Sequence, residues 1–176
     1  SIYCDRTLQL LLKTFLDIIR LRKGPEHVPD SILVLVVALG LFALAMVMSE
    51  TLIVTTGNSV LIESVYVSFG GYILYWIVLL ATGFAQRLLP TVSCIMACGS
   101  ILTIARVVLF VILAPLLGVN TASLIAWFVL IWSVPVKGHI ISRAIGMHWY
   151  IGISVALVIY LLQQIAYDAL TKVPVG

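Results

Sequence analysis

The chain has 176 residues, of which 62% are hydrophobic and only 10% are charged, and its formal net charge at pH 7 is +3. A water-soluble domain carries about 25% charged residues, so this chain lacks the polar surface that a water-facing globule needs. This composition excludes a soluble enzyme and a disordered tail. A nucleic-acid-binding protein is also excluded, because the few basic residues form no basic stripe. It predicts an integral membrane protein.

The first predicted element is an amphipathic helix that Asp5 can cap and that Gly24-Pro25 ends. Apolar residues recur on one face at spacings of three and four, and polar residues recur on the other face. The apolar set is Leu8, Leu11, Leu12, Phe15, Ile18 and Ile19, and the polar set is Arg6, Gln9, Lys13, Asp17 and Arg20. The helix either lies on lipid or packs against the protein's own bundle, and both arrangements place it at the membrane interface.

The basic residues of this segment are expected to contact the membrane surface. They are Lys13, Arg20, Arg22 and Lys23. Basic side chains next to an apolar helix face attract the headgroups of anionic lipids. Residues 1–30 are therefore predicted to form an N-terminal cytoplasmic helix and linker.

Five apolar runs follow, and each is interpreted as a membrane-spanning helix. Crossing roughly 30 Å of hydrocarbon at 1.5 Å per residue takes about 20 apolar residues. The predicted spans are residues 31–49, 65–84, 91–116, 121–136 and 149–167. The predicted fold class is an all-α polytopic bundle over residues 31–170 with five transmembrane helices, followed by a short extracytoplasmic tail at 171–176.

The distribution of Lys and Arg predicts the orientation of the bundle. The N-terminal segment is rich in both, the second loop holds Arg87, and the fourth loop, at 136–148, holds Lys137 and Arg143. The first and third loops hold neither residue type. Because short basic loops stay in the cytoplasm, we expect a cytoplasmic N-terminus and an outer C-terminus.

No catalytic or metal-binding set can be assembled from the sequence. Cys94 and Cys98 share one helix face, but two thiols alone do not make a metal site, and packing is the preferred interpretation. His139 and His148 are placed at helix ends, where hydrogen bonding at the interface explains them. We therefore expect a protein that is not an enzyme and that uses no cofactor.

Arg106 is the charge that is hardest to explain, because it lies well inside the third predicted span. A charge at that depth costs at least ~2.5–3.5 kcal/mol unless it reaches the interface or finds a partner. Glu50 and Glu63 are acids near the outer side. An ion pair of Arg106 with Glu50 or Glu63 is the first interpretation, and a lipid headgroup, an ion path or a partner subunit are the alternatives.

Small residues in the fifth span allow a close approach of another helix. Gly152 and Ala156 lie four residues apart, on one helix face. Such spacing is common where membrane helices pack closely. Internal packing is the first interpretation, and contact with a partner protein is the second.

The five-span layout and two short motifs resemble those of the bacterial Yip1-like membrane proteins. The motifs are Lys23-Gly24-Pro25 before the first span and the stretch WSVPVKGHIISRAIG at 132–146. Eukaryotic members carry an Asp-Leu-Tyr-Gly-Pro-like motif and act with small GTPases, but this chain keeps only Gly24-Pro25, so the GTPase role is not carried over. The resemblance implies a non-enzymatic bundle that organises other membrane components.

Two functions follow as expectations. The first is a non-catalytic accessory or scaffold protein of a bacterial cytoplasmic (inner) membrane that binds other membrane subunits or copies of itself and stabilises a larger complex. The alternative is a small channel or transporter subunit with Arg106 in its pathway. A continuous polar lining through the bundle favours the alternative, and apolar helix flanks without such a lining favour the scaffold.

Overall fold

The computed structural model describes residues 2–53 and 61–172, which form six α-helices and two short 3-10 helices. The α-helices are α1 (Ile2–Ile19), α2 (Ile32–Leu52), α3 (Leu61–Ala81), α4 (Leu88–Leu117), α5 (Val119–Ile145) and α6 (Trp149–Lys172). The 3-10 helices, Pro25–His27 and Ala85–Arg87, precede α2 and α4. No strand occurs in these residues, and the predicted all-α class is confirmed.

Helices α2 to α6 are each long and apolar enough to cross a membrane, as predicted, and α1 is not among them. Large apolar side chains are exposed on the outer faces of these helices, such as Ile73, Ile112 and Phe128. A surface of this kind suits the acyl chains of a lipid bilayer. An α-helix also meets the second requirement of the bilayer, because its backbone groups form hydrogen bonds within the helix. The bundle is therefore a membrane protein that contacts lipid.

The start of α2 agrees with the predicted span, which begins at residue 31. Ser31 has an extended backbone, and its Oγ accepts a hydrogen bond of 3.2 Å from the Leu33 N–H. This contact satisfies one of the backbone donors that the first turn of a helix leaves without a partner. Two predicted segments lie partly outside the described part of the chain. They are positions 54–60 of the predicted 50–64 loop and positions 173–176 of the predicted tail.

α4 and α5 form the centre of the bundle. α4 packs against α2 and α5, and α6 packs against α5. α3 completes the ring mainly through α6 and has few contacts with α2, although α2 precedes it in sequence. The interior between these helices contains cavities with polar side chains in their lining.

The fourth membrane helix is longer than predicted. The sequence interpretation ended it at Val136 and placed a loop at 136–148, whereas α5 continues to Ile145 and stops at Gly146, whose φ is 65°. The continuation buries apolar residues that recur at helical spacing, namely Val136, Ile140, Ile141, Ala144 and Ile145. Pro135 lies inside the helix, which membrane helices tolerate. Lys137 therefore belongs to a membrane helix, and its assignment to a loop was wrong.

α1 packs against the bundle, which was one of the two predicted arrangements. Leu11, Phe15 and Ile18 are buried in the same core as residues of α4 and α5. Lys13 and Arg20 are exposed on the opposite face. The apolar face of α1 is therefore covered by protein.

Both ends of α1 differ from the prediction. The helix begins at Ile2, so Asp5 lies within it rather than at its cap. It ends at Ile19, before Gly24-Pro25, because Leu21 adopts a left-handed backbone with φ of 60°. The Arg22 N–H then donates to the Asp17 carbonyl at 2.9 Å. This hydrogen bond satisfies a carbonyl at the helix end, as in the Schellman motif.

Two contacts define one end of the bundle, here called the α1 side. Arg87 Nη1 donates to the Ala144 carbonyl at 3.2 Å, and Arg143 Nη1 lies 3.8 Å from Glu26 Oε1. The segment before α2, the α3–α4 connection and the α5–α6 turn therefore lie together. The opposite end, here called the far side, holds the end of α2, the start of α3 and the α4–α5 turn.

Candidate functional site

Polar side chains from three helices line a cavity inside the bundle. This inner cavity, of about 200 Å³, lies between α4, α5 and α6. Its polar lining is Thr103, Arg106, Ser133, Lys137, Tyr160, Gln163 and Gln164. No Asp or Glu lines it within the described ranges, so the cavity holds two cations and no acid.

Lys137 reaches this cavity beside a small residue of α4, Gly99. A Cβ on Gly99 would lie 3.6 Å from Lys137 Cε, so the end of the lysine stem lies against α4. Gly99, Thr103 and Arg106 follow one another on α4 at spacings of four and three, which places them on one helix face. Arg106 lies roughly 10 Å further along α4 than Gly99 at 1.5 Å per residue.

Few protein groups offset the positive charges of Arg106 and Lys137. Arg106 Nη2 donates to Ser49 Oγ at 3.4 Å, a long hydrogen bond to a neutral group. Lys137 takes part in none of the ion pairs formed between residues that the structure describes. Placing a charge among membrane helices is costly unless a partner or water offsets it. The cavity is therefore suited to a negatively charged ligand.

A second cavity extends the polar lining to the far side. This far-side cavity, of about 390 Å³, shares Thr103, Arg106 and Gln164 with the inner cavity. It reaches Glu50 and Tyr167 near the ends of α2 and α6. The polar lining thus continues from Lys137 past Arg106 to the far side of the bundle.

The predicted ion pair of Arg106 with Glu50 or Glu63 is not formed within the described residues. Glu50 lines the far-side cavity with Arg106, but Ser49 is the residue that contacts the guanidinium. Glu63 Oε2 is buried without a hydrogen-bond partner in the described structure.

The α1 side of the bundle is covered by α1 and the segment that follows it. Trp132 Nε1 donates to the Ile19 carbonyl at 3.3 Å, and His139 Nε2 lies 3.0 Å from the Lys23 carbonyl, to which it donates. Cys98 Sγ donates to the Phe15 carbonyl at 3.8 Å. Side chains of α4 and α5 thus hold the end of α1 in place.

Three of the four predicted membrane-surface residues, Lys13, Arg20 and Arg22, are exposed. The fourth, Lys23, is partly buried, and its Nζ lies 2.9 Å from Asp17 Oδ2. The hydrogen bond from Lys23 holds the pKa of Asp17 below its ordinary value. This ion pair links α1 to the segment that leads into α2.

Gly152 and Ala156 lie buried on α6, where it packs against α5. A Cβ on Gly152 would overlap the Gly138 carbonyl oxygen and would lie 2.7 Å from Ser142 Cβ. The absence of a side chain at both glycines allows the two backbones to approach closely. The structure thus places the predicted packing pair inside the bundle.

Sequence reasoning missed Lys137 and Gln163 as site residues. The signal for Lys137 was the helical spacing of Val136, Ile140 and Ala144, which continues the helix through the presumed loop. The signal for Gln163 was an amide in the middle of an apolar span, where polar residues are rare.

Comparison of the chain with protein-family models, curated proteins and solved structures gave no match.

Proposed function

We propose that the chain is a small, non-enzymatic transport protein of a bacterial cytoplasmic membrane, and that it binds an anion between Arg106 and Lys137. The observation that carries this proposal is the pair of cations in a cavity with no acidic lining residue in the described ranges. An anion would offset the cost of both charges. This proposal adopts the channel or transporter alternative, with Lys137 added to Arg106.

The two cations would contribute differently to binding. The planar guanidinium of Arg106 can donate two parallel hydrogen bonds to a phosphate or carboxylate, whereas the Lys137 ammonium acts as a compact point charge. Hydrogen bonds between charged groups are roughly twice as strong as neutral ones. The Tyr160 hydroxyl lines the same cavity and can donate to the ligand, since its oxygen accepts from Gln164 Nε2 at 3.3 Å and its proton is not used in that bond. The hydroxyl groups of Thr103 and Ser133 donate to the backbone carbonyls of Gly99 and Leu130.

The shape of the polar lining favours access from the far side. The far-side cavity continues from Arg106 towards the ends of α2 and α6, while α1 covers the other end of the bundle. Arg87, Arg143 and the basic end of α1 lie at the α1 side, which supports a cytoplasmic N-terminus. We therefore propose that the cavity faces the outside of the cell in this conformation.

Anion binding can be tested on the purified protein in nanodiscs of a zwitterionic lipid. Inorganic phosphate should raise the melting temperature above that in chloride of equal ionic strength. Arg106→Gln and Lys137→Gln should each abolish most of this rise, because each removes a charge from the cavity. Lys13→Gln is the matched control, since Lys13 is exposed on α1. An equal rise in all four proteins would overturn the proposal.

An accessory or scaffold role, in a complex with other membrane subunits or as a homo-oligomer, is the second proposal. It is supported by the Yip1-like layout and by a group of exposed side chains on the far-side half of α5, namely Leu124, Trp127 and Phe128. Another membrane protein could cover this group as well as lipid does. Loss of a co-purifying subunit in mild detergent on Phe128→Ala, with phosphate binding absent from the wild type, would favour this role.

A further inference from the structure

We infer that the anion is the headgroup of a bilayer lipid whose acyl chain leaves the bundle between α3 and α6. This inference rests on the proposed function, because it assigns a ligand class to the same cavity. It is carried by an apolar groove on the outside of the bundle and by the position of Gln163, which together with Val67 lies between this groove and the cations.

The groove lies between α3 and α6 and has a volume of about 420 Å³. Its lining is apolar apart from Gln163 and the Tyr66 hydroxyl, and it includes Gly70, Leu74, Leu162, Ala166 and Leu170. Tyr66, Leu162 and Leu170 are exposed, so the groove faces the surrounding lipid. Small residues such as Gly70 keep this groove open. In a bilayer the molecules around the groove are lipids, whose acyl chains can enter it.

Gln163 lies where the groove meets the interior. Its side chain lines the groove, the inner cavity and a smaller cavity between α2 and α3 that also contains Lys137. Nε2 donates to the Val67 carbonyl of α3 at 3.1 Å. The amide covers Gly71, since a Cβ at that position would overlap it. Gln163 therefore occupies the gap between α3 and α6 at the level of the cationic cavity.

This barrier can open without a movement of the helices. The Val67 carbonyl belongs to the interior of a helix, so the bond from Gln163 is additional to the backbone pattern. Hydrogen bonds between membrane helices contribute little stability on average, because alternative partners compete for the same groups. Rotation of the Gln163 side chain would join the groove to the cavity at small cost.

A lipid fits the combined space better than a free anion does. Its phosphate would lie with Arg106 and Lys137 in the polar cavity, and its acyl chain would pass Gln163 into the apolar groove. The two cations match the negative headgroup, and the apolar lining matches the chain. A free anion would leave the groove without a role in binding.

The first test uses a phosphatidic acid that carries a diazirine in its acyl chain, placed in phosphatidylcholine nanodiscs with the whole protein. Photolysis should crosslink the probe to residues 66–74 and 162–170. Unlabelled phosphatidic acid should compete, and phosphatidylcholine should not. Arg106→Gln and Lys137→Gln should each weaken this labelling by roughly tenfold or more, the usual effect of losing a hydrogen bond to a charged group. Labelling spread evenly over the outer faces of all the helices would overturn the inference.

The second test separates the acyl chain from the headgroup. A Cβ on either Gly70 or Gly40 would meet no atom within 4 Å, so both positions accept a larger side chain. Gly70→Leu would fill the groove, whereas Gly40→Leu on α2 would not. We expect Gly70→Leu alone to lose labelling, with the melting shift in inorganic phosphate kept in both variants.

The outcomes distinguish the two proposals. If phosphate binds and Gly70→Leu has no effect on lipid labelling, the ligand is a free anion, and the proposed function stands without this inference. If neither phosphate nor phosphatidic acid depends on Arg106 and Lys137, both proposals are wrong. Should Gly70→Leu fail to fold, the positions labelled in the wild-type protein decide the question.

Discussion

The end of the Lys137 side chain on α5 lies against Gly99 of α4, with its Cε 3.6 Å from the position that a Cβ at residue 99 would occupy. This contact places an amine among membrane helices, next to the cavity that also contains Arg106. A methyl group fits at that distance, but a larger side chain does not. The size of residue 99 therefore controls whether Lys137 can occupy this position.

Substitutions at Gly99 should have graded effects on anion binding. Gly99→Ala adds an ordinary van der Waals contact, so the rise in melting temperature with phosphate should be kept. Gly99→Leu should abolish the rise, because the added side chain takes the space of Lys137. Scanning fluorimetry in phosphate and in chloride measures both. Loss of binding in Gly99→Ala, or full binding in Gly99→Leu, would contradict this account.

The close contact of α5 and α6 predicts that Gly152→Ala destabilises the bundle. The added Cβ would meet the Gly138 carbonyl oxygen and Ser142, which are parts of a rigid helix. We expect a loss of about 1–3 kcal/mol in the free energy of unfolding, as for overpacked cores. Gly40→Ala is the control, because a Cβ there meets open space, and it should stabilise by roughly 0.5–1 kcal/mol. Unfolding in mixed micelles with increasing dodecyl sulfate compares the two. Equal stability of both variants would show that the two helices can separate freely.

The attachment of α1 can be tested with two neighbouring aspartates. Phe15 is completely buried, whereas Leu16 is 47% exposed. Phe15→Asp would bury a charge without a partner and should release α1, so that trypsin cleaves faster at Arg20 and Arg22. Leu16→Asp should leave the cleavage rate near that of the wild type in detergent. Equal acceleration in both variants would mean that α1 is not held by its Phe15 face.

The ion pair between Asp17 and Lys23 predicts a loosening of α1 in acid. The pKa of Asp17 is held below its ordinary value of 3.8 by the hydrogen bond from Lys23. A carboxyl group whose pKa is lower in the folded state adds stability above its unfolded pKa and loses it as the pH falls through the folded value. Pepsin cleavage within α1 should therefore accelerate below about pH 3.8, relative to Asp17→Asn at the same pH. A constant ratio of the two rates would contradict the prediction.

The proposed orientation can be tested by cysteine labelling in intact cells. Met147 is exposed at the α1 side and Asn120 is exposed at the far side. With the native cysteines replaced, an impermeant maleimide should label Asn120→Cys in intact cells and Met147→Cys only after lysis. The reason is that Arg87 and Arg143 lie at the α1 side, and basic ends remain in the cytoplasm. The reverse pattern would place the cavity opening in the cytoplasm.

The sequence alone determined the membrane class, the number of spanning helices and the start of α2. Apolar runs of sufficient length predict spans in any context, and Ser31 caps α2 through contacts within its own turn. The amphipathic pattern of α1 also identified the buried face, because one side of that helix is polar. These features depend on residues that are close in sequence, so local patterns were sufficient.

The tertiary structure decided which polar residues meet. In a membrane, lipid and bundle interior are both apolar, so a spanning helix carries no polar stripe to mark its inner face. The rotation of each helix follows instead from close contacts such as that of Gly138 with Gly152. This packing places Lys137 against Gly99, distant in sequence, and directs Arg106 to Ser49 rather than to Glu50. Such pairings depend on the rotation and register of whole helices, and no local pattern in the sequence contains them.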